Sequence, residues 1–247
     1  SFFTSATSLT LLARVVIRVP EDYPTIQRAV NAASPGDIVI VAPGIYYENI
    51  FINKSISLIG ENRENTIIIG TGIGSVIKIS SNEVNVSGFT IKGSGMNYIS
   101  PGDGGDAGIK LERVANCSLS DLTVTENCLG IFLNSSNGNV IENIVSYSNS
   151  KDGIYLRLSN NNIIRGNNCS LNGGHGGIYL NPSCNNNLIE NNICDSNADH
   201  GIKLQRLSNN NLLRNNTCTR NRKAGIFLRR SDNNVLDNNK CYKNKYN

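Results

Sequence analysis

The sequence predicts an all-β fold: a single-stranded right-handed parallel β-helix of about nine coils, with a short N-terminal capping helix. Three observations predict it. Gly108, Gly130, Gly153, Gly177, Gly201 and Gly225 open six similar segments at spacings of 22, 23, 24, 24 and 24 residues, and fixed periods of this length mark solenoids. Within each segment apolar and polar residues alternate, the strand period of two. Stacked on one another, the segments place like residue on like.

Four inward columns follow from that stacking. One is Ile109, Ile131, Ile154, Ile178, Ile202 and Ile226. A second is Leu111, Leu133, Leu156, Leu180, Leu204 and Leu228, and a third is Leu119, Ile141, Ile164, Ile189, Leu213 and Leu236. The fourth is Val124, Ser146, Cys169, Cys194, Cys218 and Cys241. In-register cysteines on parallel strands point the same way, a poor geometry for disulfides, so these read as small buried hydrophobes. Cys117, Cys128 and Cys184 fall outside the column, and no CxxC spacing suggests a structural metal.

Two polar ladders mark corners: Asn127, Asn149, Asn172, Asn197, Asn221, Asn244, and Asp121, Asn143, Gly166, Asn191, Asn215, Asn238. Asn tolerates the left-handed backbone a corner needs, and its amide can bond the Asn of the next coil. Both ladders are expected to do both things, as scaffold.

The first hundred residues are less regular. Thr25–Ala33 has an N-cap Thr and amphipathic spacing, so it is a short helix that covers the first coil's open edge. Segments 37–44, 56–60, 66–70 and 75–80 read as short strands. Residues 93–106 form a long polar loop. Residues 1–18 are expected to be an N-terminal extension and 19–247 the β-helix. Ser1–Ala13 is uncharged and apolar, a candidate donor strand. The chain opens without Met or a signal-like segment, which suggests a mature secreted or surface protein, and no run of 18 apolar residues suits a membrane.

From Val19 to Gly70 the sequence VPEDYPTIQRAVNAASPGDIVIVAPGIYYENIFINKSISLIGENRENTIIIG resembles the opening of secreted β-helix proteins of the NosD-like class, and the start of pectin methylesterases. The later G-I-x-L…N-N-x-I…N copies resemble the repeat of archaeal and bacterial surface proteins. The resemblance implies the fold and a surface or secreted location. The pectin methylesterase likeness ends at the opening, because no Gln-Asp pair or Asp-Phe-Ile-Phe-Gly segment follows. Copper, associated with the NosD class, finds one Met and two His in this chain. No cofactor is expected.

Lys151, Asp152, His175, Asp199, His200 and Lys223 sit just before the repeat glycines, so consecutive coils place them on one corner near Asp103 and Asp106. GGHGG around His175 resembles the GHG segment of polygalacturonases. Clustered carboxylates and imidazoles suit acid–base chemistry on sugars, while Asp103 and Asp106 could bind Ca²⁺. Phe132, Tyr155, Tyr179, Lys203 and Phe227 lie between inward residues and are expected to form an exposed stripe, a contact face for sugar rings or protein. Six sequons, at Asn53, Asn85, Asn116, Asn134, Asn168 and Asn215, permit glycosylation.

Charge is divided. Residues 1–200 hold 12 Lys/Arg and 17 Asp/Glu, whereas residues 201–247 hold 11 and 2. The basic end lacks base-stacking aromatics, which argues against nucleic acid. Unlike ends and an open last coil suggest rods that assemble head to tail into a filament or coat, with Phe2, Phe3, Leu9 and Leu11 at one end and Phe227, Arg229, Arg230, Tyr242 and Lys243 at the other. The alternative is a β-helix that binds or acts on acidic polysaccharide.

Overall fold

The computed structural model describes residues 14–98 and 105–246. Parallel strands wind into a right-handed β-helix of about 10 turns, one more than the sequence suggested. The first turn begins with the strand Val16–Val19, which pairs in register with Ile38–Val41 and has the helix Ile26–Ala32 after it. Thr25 caps the helix, accepting the Arg28 N–H, and the buried Ile26, Ala29 and Val30 sit on the first coil.

Each full turn carries one strand on an eight-stranded sheet and, on a 17-stranded sheet, two short strands or, at Ser118–Thr125 and Val140–Tyr147, one eight-residue strand. The repeat glycines open the strands of the eight-stranded sheet, and Ile109↔Ile131↔Ile154↔Ile178↔Ile202↔Ile226 are direct partners, as are the leucines two residues on. Those columns are fully buried down to Leu204 and join Cys169, Cys194 and Cys218 in one core. All seven cysteines are unpaired. Cys117 and Cys184, outside the column, are buried in the same core.

Glycine is obligatory where coils touch. A Cβ on Gly201 would lie 2.6 Å from the Gly225 carbonyl oxygen and 2.9 Å from the Asn221 amide. Gly153 is hemmed in likewise, at 2.7 Å by Gly177 and 2.8 Å by Asn172.

The corners differ from expectation in one respect. Left-handed backbone and ladder bonding belong to successive residues, not to one. Asn191 and Asn215 take positive φ (56° and 54°), and the next residues, Asn192 and Asn216, point inward and make the ladder. Likewise Ser196 and Arg220 take positive φ, and Asn197 and Asn221 are buried. The reason is geometric: a left-handed residue swings the following side chain into the bend, where backbone groups are unpaired. Each buried Asn donates to a carbonyl of the coil before and to the Asn of the coil after. Asn197 Nδ2 donates to the Cys169 carbonyl and to Asn221 Oδ1, both at 3.0 Å. Its Oδ1 accepts from the Asn172 N–H at 3.0 Å and the Asn172 amide at 3.3 Å. A third ladder, Asn139, Asn162, Asn187, Asn211 and Asn234, follows the same rule.

Asn197→Ala therefore strips partners from a backbone N–H, a carbonyl and two amides in a dry corner. It should lower unfolding free energy by about 2–4 kcal/mol. Asn215→Gly, at an exposed left-handed position, should change it by less than about 1 kcal/mol. Paired denaturant titrations check the contrast; equal losses would show that the ladder is not what holds the corners.

Candidate functional site

The outer face of the eight-stranded sheet carries the row Lys110, Phe132, Tyr155, Tyr179, Lys203 and Phe227 in adjacent rungs. The expected exposed stripe is corrected here: Phe132, Tyr155, Tyr179 and Lys203 are all buried, and only Phe227 is partly open. Strand spacing stacks the rings, Phe132 on Tyr155 at 5.0 Å and Tyr155 on Tyr179 at 5.2 Å. Ala107, Leu129 and Tyr98 complete this second apolar cluster. Lys110 lies 5.7 Å from the Phe132 centroid, and Lys203 lies 5.5 Å and 5.9 Å from Tyr179 and Phe227, closing the stack with cations. The ring faces are thus used up by one another and offer no platform for a sugar.

The corner beside the stack gathers the residues the sequence placed there, and adds Tyr98. Asp152 is fully buried. Its Oδ1 accepts the Gly176 N–H at 2.8 Å, while its Oδ2 has no hydrogen-bond partner and lies 3.6 Å from His175 Nδ1. The Tyr98 hydroxyl is 3.5 Å from the same nitrogen. His175 stacks on Tyr179 at 4.9 Å, yet its side chain is 41% exposed, so the imidazole is held from behind and open in front. Lys151 stands 5.2 Å over the Tyr98 ring. Burial, and then the Asp152 charge, push Tyr98 ionisation far above the usual tyrosine range, so its hydroxyl keeps its proton. Sequence reasoning missed Tyr98 because only the folded loop returns it to a coil three turns on. Asp103 lies outside the described residues, and Asp106 Oδ2 accepts the Asn97 N–H at 3.1 Å, bracing that loop.

One coil further, Asp199 and His200 form a closed cluster. Asp199 meets Lys223 at 2.7 Å and Lys203 at 3.1 Å. Burial raises its carboxyl, but the two lysines outweigh this and hold it below the usual range. His200 Nδ1 accepts the Ala224 N–H at 3.1 Å and its ring stacks on Phe227 at 4.5 Å. Burial pushes His200 down to about 4. With Nδ1 engaged and the ring covered, His200 is structural.

Of the remaining expected contact residues, Arg229, Arg230, Tyr242 and Lys243 are exposed at the last turns. Phe2, Phe3, Leu9 and Leu11 lie outside the described residues.

A family model described as periplasmic copper-binding protein (NosD) matches residues 97–247. The chain belongs to the NosD family. A cell surface glycoprotein of Methanothermus fervidus is 32% identical over 110 residues, 44% of this chain. That stretch spans only 16% of the relative's own length. Solved structures of similar shape include DFA-IIIase from Arthrobacter chlorophenolicus A6 (TM-score 0.74, 15% identity, 91% of this chain and 66% of that one). The A-module of the mannuronan C-5 epimerase of Azotobacter vinelandii scores 0.63 at 19% identity, over 86% of this chain and 70% of that one. An alginate lyase from Paenibacillus sp. FPU-7 scores 0.63 at 15% identity, over 90% and 97%. At these identities they establish the fold. The family description names a periplasmic protein, and the relative is a cell surface one. No described helix is long and apolar enough to cross a membrane.

The described residues of this NosD-family chain do not fit copper. Among the described residues, no three of His, Cys, Asp and Glu come together to hold a metal ion. The thiols of Cys169, Cys194 and Cys218 are buried in the core with raised pKa values, and His200 Nδ1 already accepts a backbone N–H.

The depressed His200 pKa makes stability pH-dependent. Unfolded, the imidazole takes a proton near its ordinary value of 6.5; folded, it does so only at about 4. Between those values the unfolded state binds the extra proton, so stability falls as pH falls, by up to roughly 3 kcal/mol, and levels off below. Denaturant midpoints from pH 7.5 to 4 should show this fall, and His200→Gln should flatten it. An unchanged slope in the variant would exclude His200 as its source.

Proposed function

We propose that this NosD-family protein is a surface or periplasmic β-helix that binds acidic polysaccharide at the Tyr98–His175 corner and transfers a proton at the sugar carbon next to a carboxylate. One observation carries the reading: the buried Asp152 leaves one carboxylate oxygen unpaired, facing a half-exposed His175. An unpaired buried oxygen is costly unless it has a task. Accepting Nδ1–H of His175 during reaction is such a task, since it orients the ring and leaves Nε2 as a base.

The remaining roles follow from position. Lys151 supplies positive charge for the substrate carboxylate, making the adjacent C–H more acidic. His175 Nε2 takes that proton. Electrons from the broken C–H bond delocalise onto the carboxylate, then form a C=C bond as the neighbouring C–O bond breaks. Tyr98, held protonated, donates to the departing oxygen. Alternatively, reprotonation from the opposite face inverts the carbon. The fold likeness to a uronate epimerase and an alginate lyase supports such a substrate coarsely.

Incubation of the full chain with a panel of polyuronates should release unsaturated, ultraviolet-absorbing ends, or exchange the carbon-bound hydrogen in D₂O. His175→Ala should lower the rate by about 10²–10⁴-fold with the fold intact by circular dichroism. A wild-type protein inert by both assays on every polyuronate would overturn the catalytic reading.

End-to-end association is a second reading, favoured by a specific surface. Val235, Leu236 and Tyr242 on the last described turn are each about half exposed, and Leu236 with Ile226 and Cys241 lines an apolar hollow there. Such a rung accepts a further coil, whether from the same polypeptide or from another copy. If copies supply it, light scattering should show concentration-dependent growth that Leu236→Asp abolishes. Growth unaffected by this variant would rule out stacking through the rung.

A further inference from the structure

We infer that a second corner of the same sheet holds a separate subsite for a sugar-borne oxyanion, formed by Arg206, Arg229 and Arg230 with the amide of Gln205; as a subsite for acidic polysaccharide it rests on the function proposed above. These four residues line a pocket of about 90 Å³, a volume suited to one carboxylate or sulfate group.

Three arginines of the neighbouring sheet show the contrast with this pocket. On the neighbouring sheet, Arg165 meets Glu142 at 2.6 Å, Arg214 meets Glu190 at 2.7 Å and Arg220 meets Asp195 at 2.7 Å, each across one rung. In contrast, Arg206, Arg229 and Arg230 have no carboxylate within 4.0 Å among the described residues. Three like charges round one small pocket repel each other unless an anion sits between them.

The sheet also builds the pocket from behind. Tyr179 donates its hydroxyl to Gln205 Oε1 at 3.0 Å. Burial raises the Tyr179 pKa far above the usual range, so the phenol stays a donor and Gln205 Oε1 stays occupied. The Gln205 amide nitrogen, with no partner among the described residues, is the end left to donate to the pocket. Gln205 and Arg229 are direct rung partners.

Position links the two corners. His175 stacks on the ring of Tyr179, and the hydroxyl at the far end of that ring holds Gln205. One phenol therefore spans from the proton-transfer corner to the oxyanion pocket. A polyanionic chain laid across the sheet would place one charged residue at Lys151 and His175 and a later one between the arginines. Guanidinium forks suit carboxylate and sulfate better than a point charge does.

The test measures binding of defined oligouronates, sulfated oligosaccharides and neutral glucan oligomers to the full chain by calorimetry, at two salt concentrations. Arg206→Gln with Arg229→Gln should weaken binding of the anionic oligomers by at least about tenfold and reduce the salt dependence. Arg165→Gln, whose arginine is paired on another face, should leave it within about twofold. A stronger loss for uronates identifies carboxylate as the ligand, and a stronger loss for sulfated oligomers identifies sulfate ester. Oligouronate binding indifferent to the double variant overturns the subsite while leaving the His175 corner in place. Binding that depends on both arginines in a protein without turnover upholds the subsite and fails only the catalytic reading. Equal competition by a short DNA duplex would overturn the subsite as a sugar site, because bare charge would then explain it. Sheet content by circular dichroism must match wild type in each variant.

Discussion

Everything in this molecule depends on coil lying on coil in register. The strands are too short, three to eight residues, to hold themselves, and each pairs only with the turns above and below. The demanding places are the bends, where backbone N–H and C=O groups leave the ladder and are shielded from solvent. Buried asparagine meets that demand because one amide carries both a donor and an acceptor end. Asn197 answers a carbonyl in the preceding turn and an amide in the following one. Serine does the same with less reach at another bend, where Ser136 Oγ accepts the Val114 N–H and donates to a carbonyl. The fold thereby becomes a stack of near-identical cross-sections, and its outer surface a lattice of fixed rows.

That lattice explains why chemistry collects at two corners. Residues one period apart in sequence become neighbours one rung apart in space. Asp152 and Gly176 are 24 residues, one turn, apart, so Gly176 supplies the N–H that holds one carboxylate oxygen and His175, the residue before it, comes beside the other. The aromatic row between the corners is the rigid part. Its rings are stacked at strand spacing and sealed by Lys110 and Lys203, so they serve as a spacer and not as a landing surface. A packed spacer of this kind keeps His175 and Gln205 at constant separation, which a flexible loop could not do.

Much of this was legible in the sequence, because a solenoid converts period into contact. The inward Ile and Leu columns, the Cys column, the helix after Thr25 and the corner holding Asp152 and His175 could all be written down from spacing. What spacing cannot supply is depth. Phe132, Tyr155 and Tyr179 alternate outward, and an outward residue on a single sheet reads as exposed. The loop bearing Tyr98 and the neighbouring lysines cover them, and loop return is invisible to periodicity. Nor does spacing separate backbone strain from side-chain bonding. Pairs such as Asn191–Asn192 and Asn215–Asn216 divide those roles between the two residues, and runs of consecutive Asn were the available clue.

Charge shows the same division between local and lattice-level causes. The basic excess of residues 201–247 suggests a steering field when counted along the chain. On the folded surface its members differ in their partners. Arg214, Arg220, Lys203 and Lys223 are neutralised by acids in the same or adjacent turns. Among the described residues Arg222, Lys240, Lys243, Lys245, Arg206, Arg229 and Arg230 have no such partner, and the last three share one pocket. Net charge alone would predict diffuse attraction for any polyanion. The three arginines of the pocket instead concentrate part of the attraction where Gln205 adds directional hydrogen-bonding capacity. Screening removes diffuse attraction at moderate salt, whereas a multidentate contact in a pocket persists. The distribution of partners, more than the sum of charges, therefore decides what this surface can recognise.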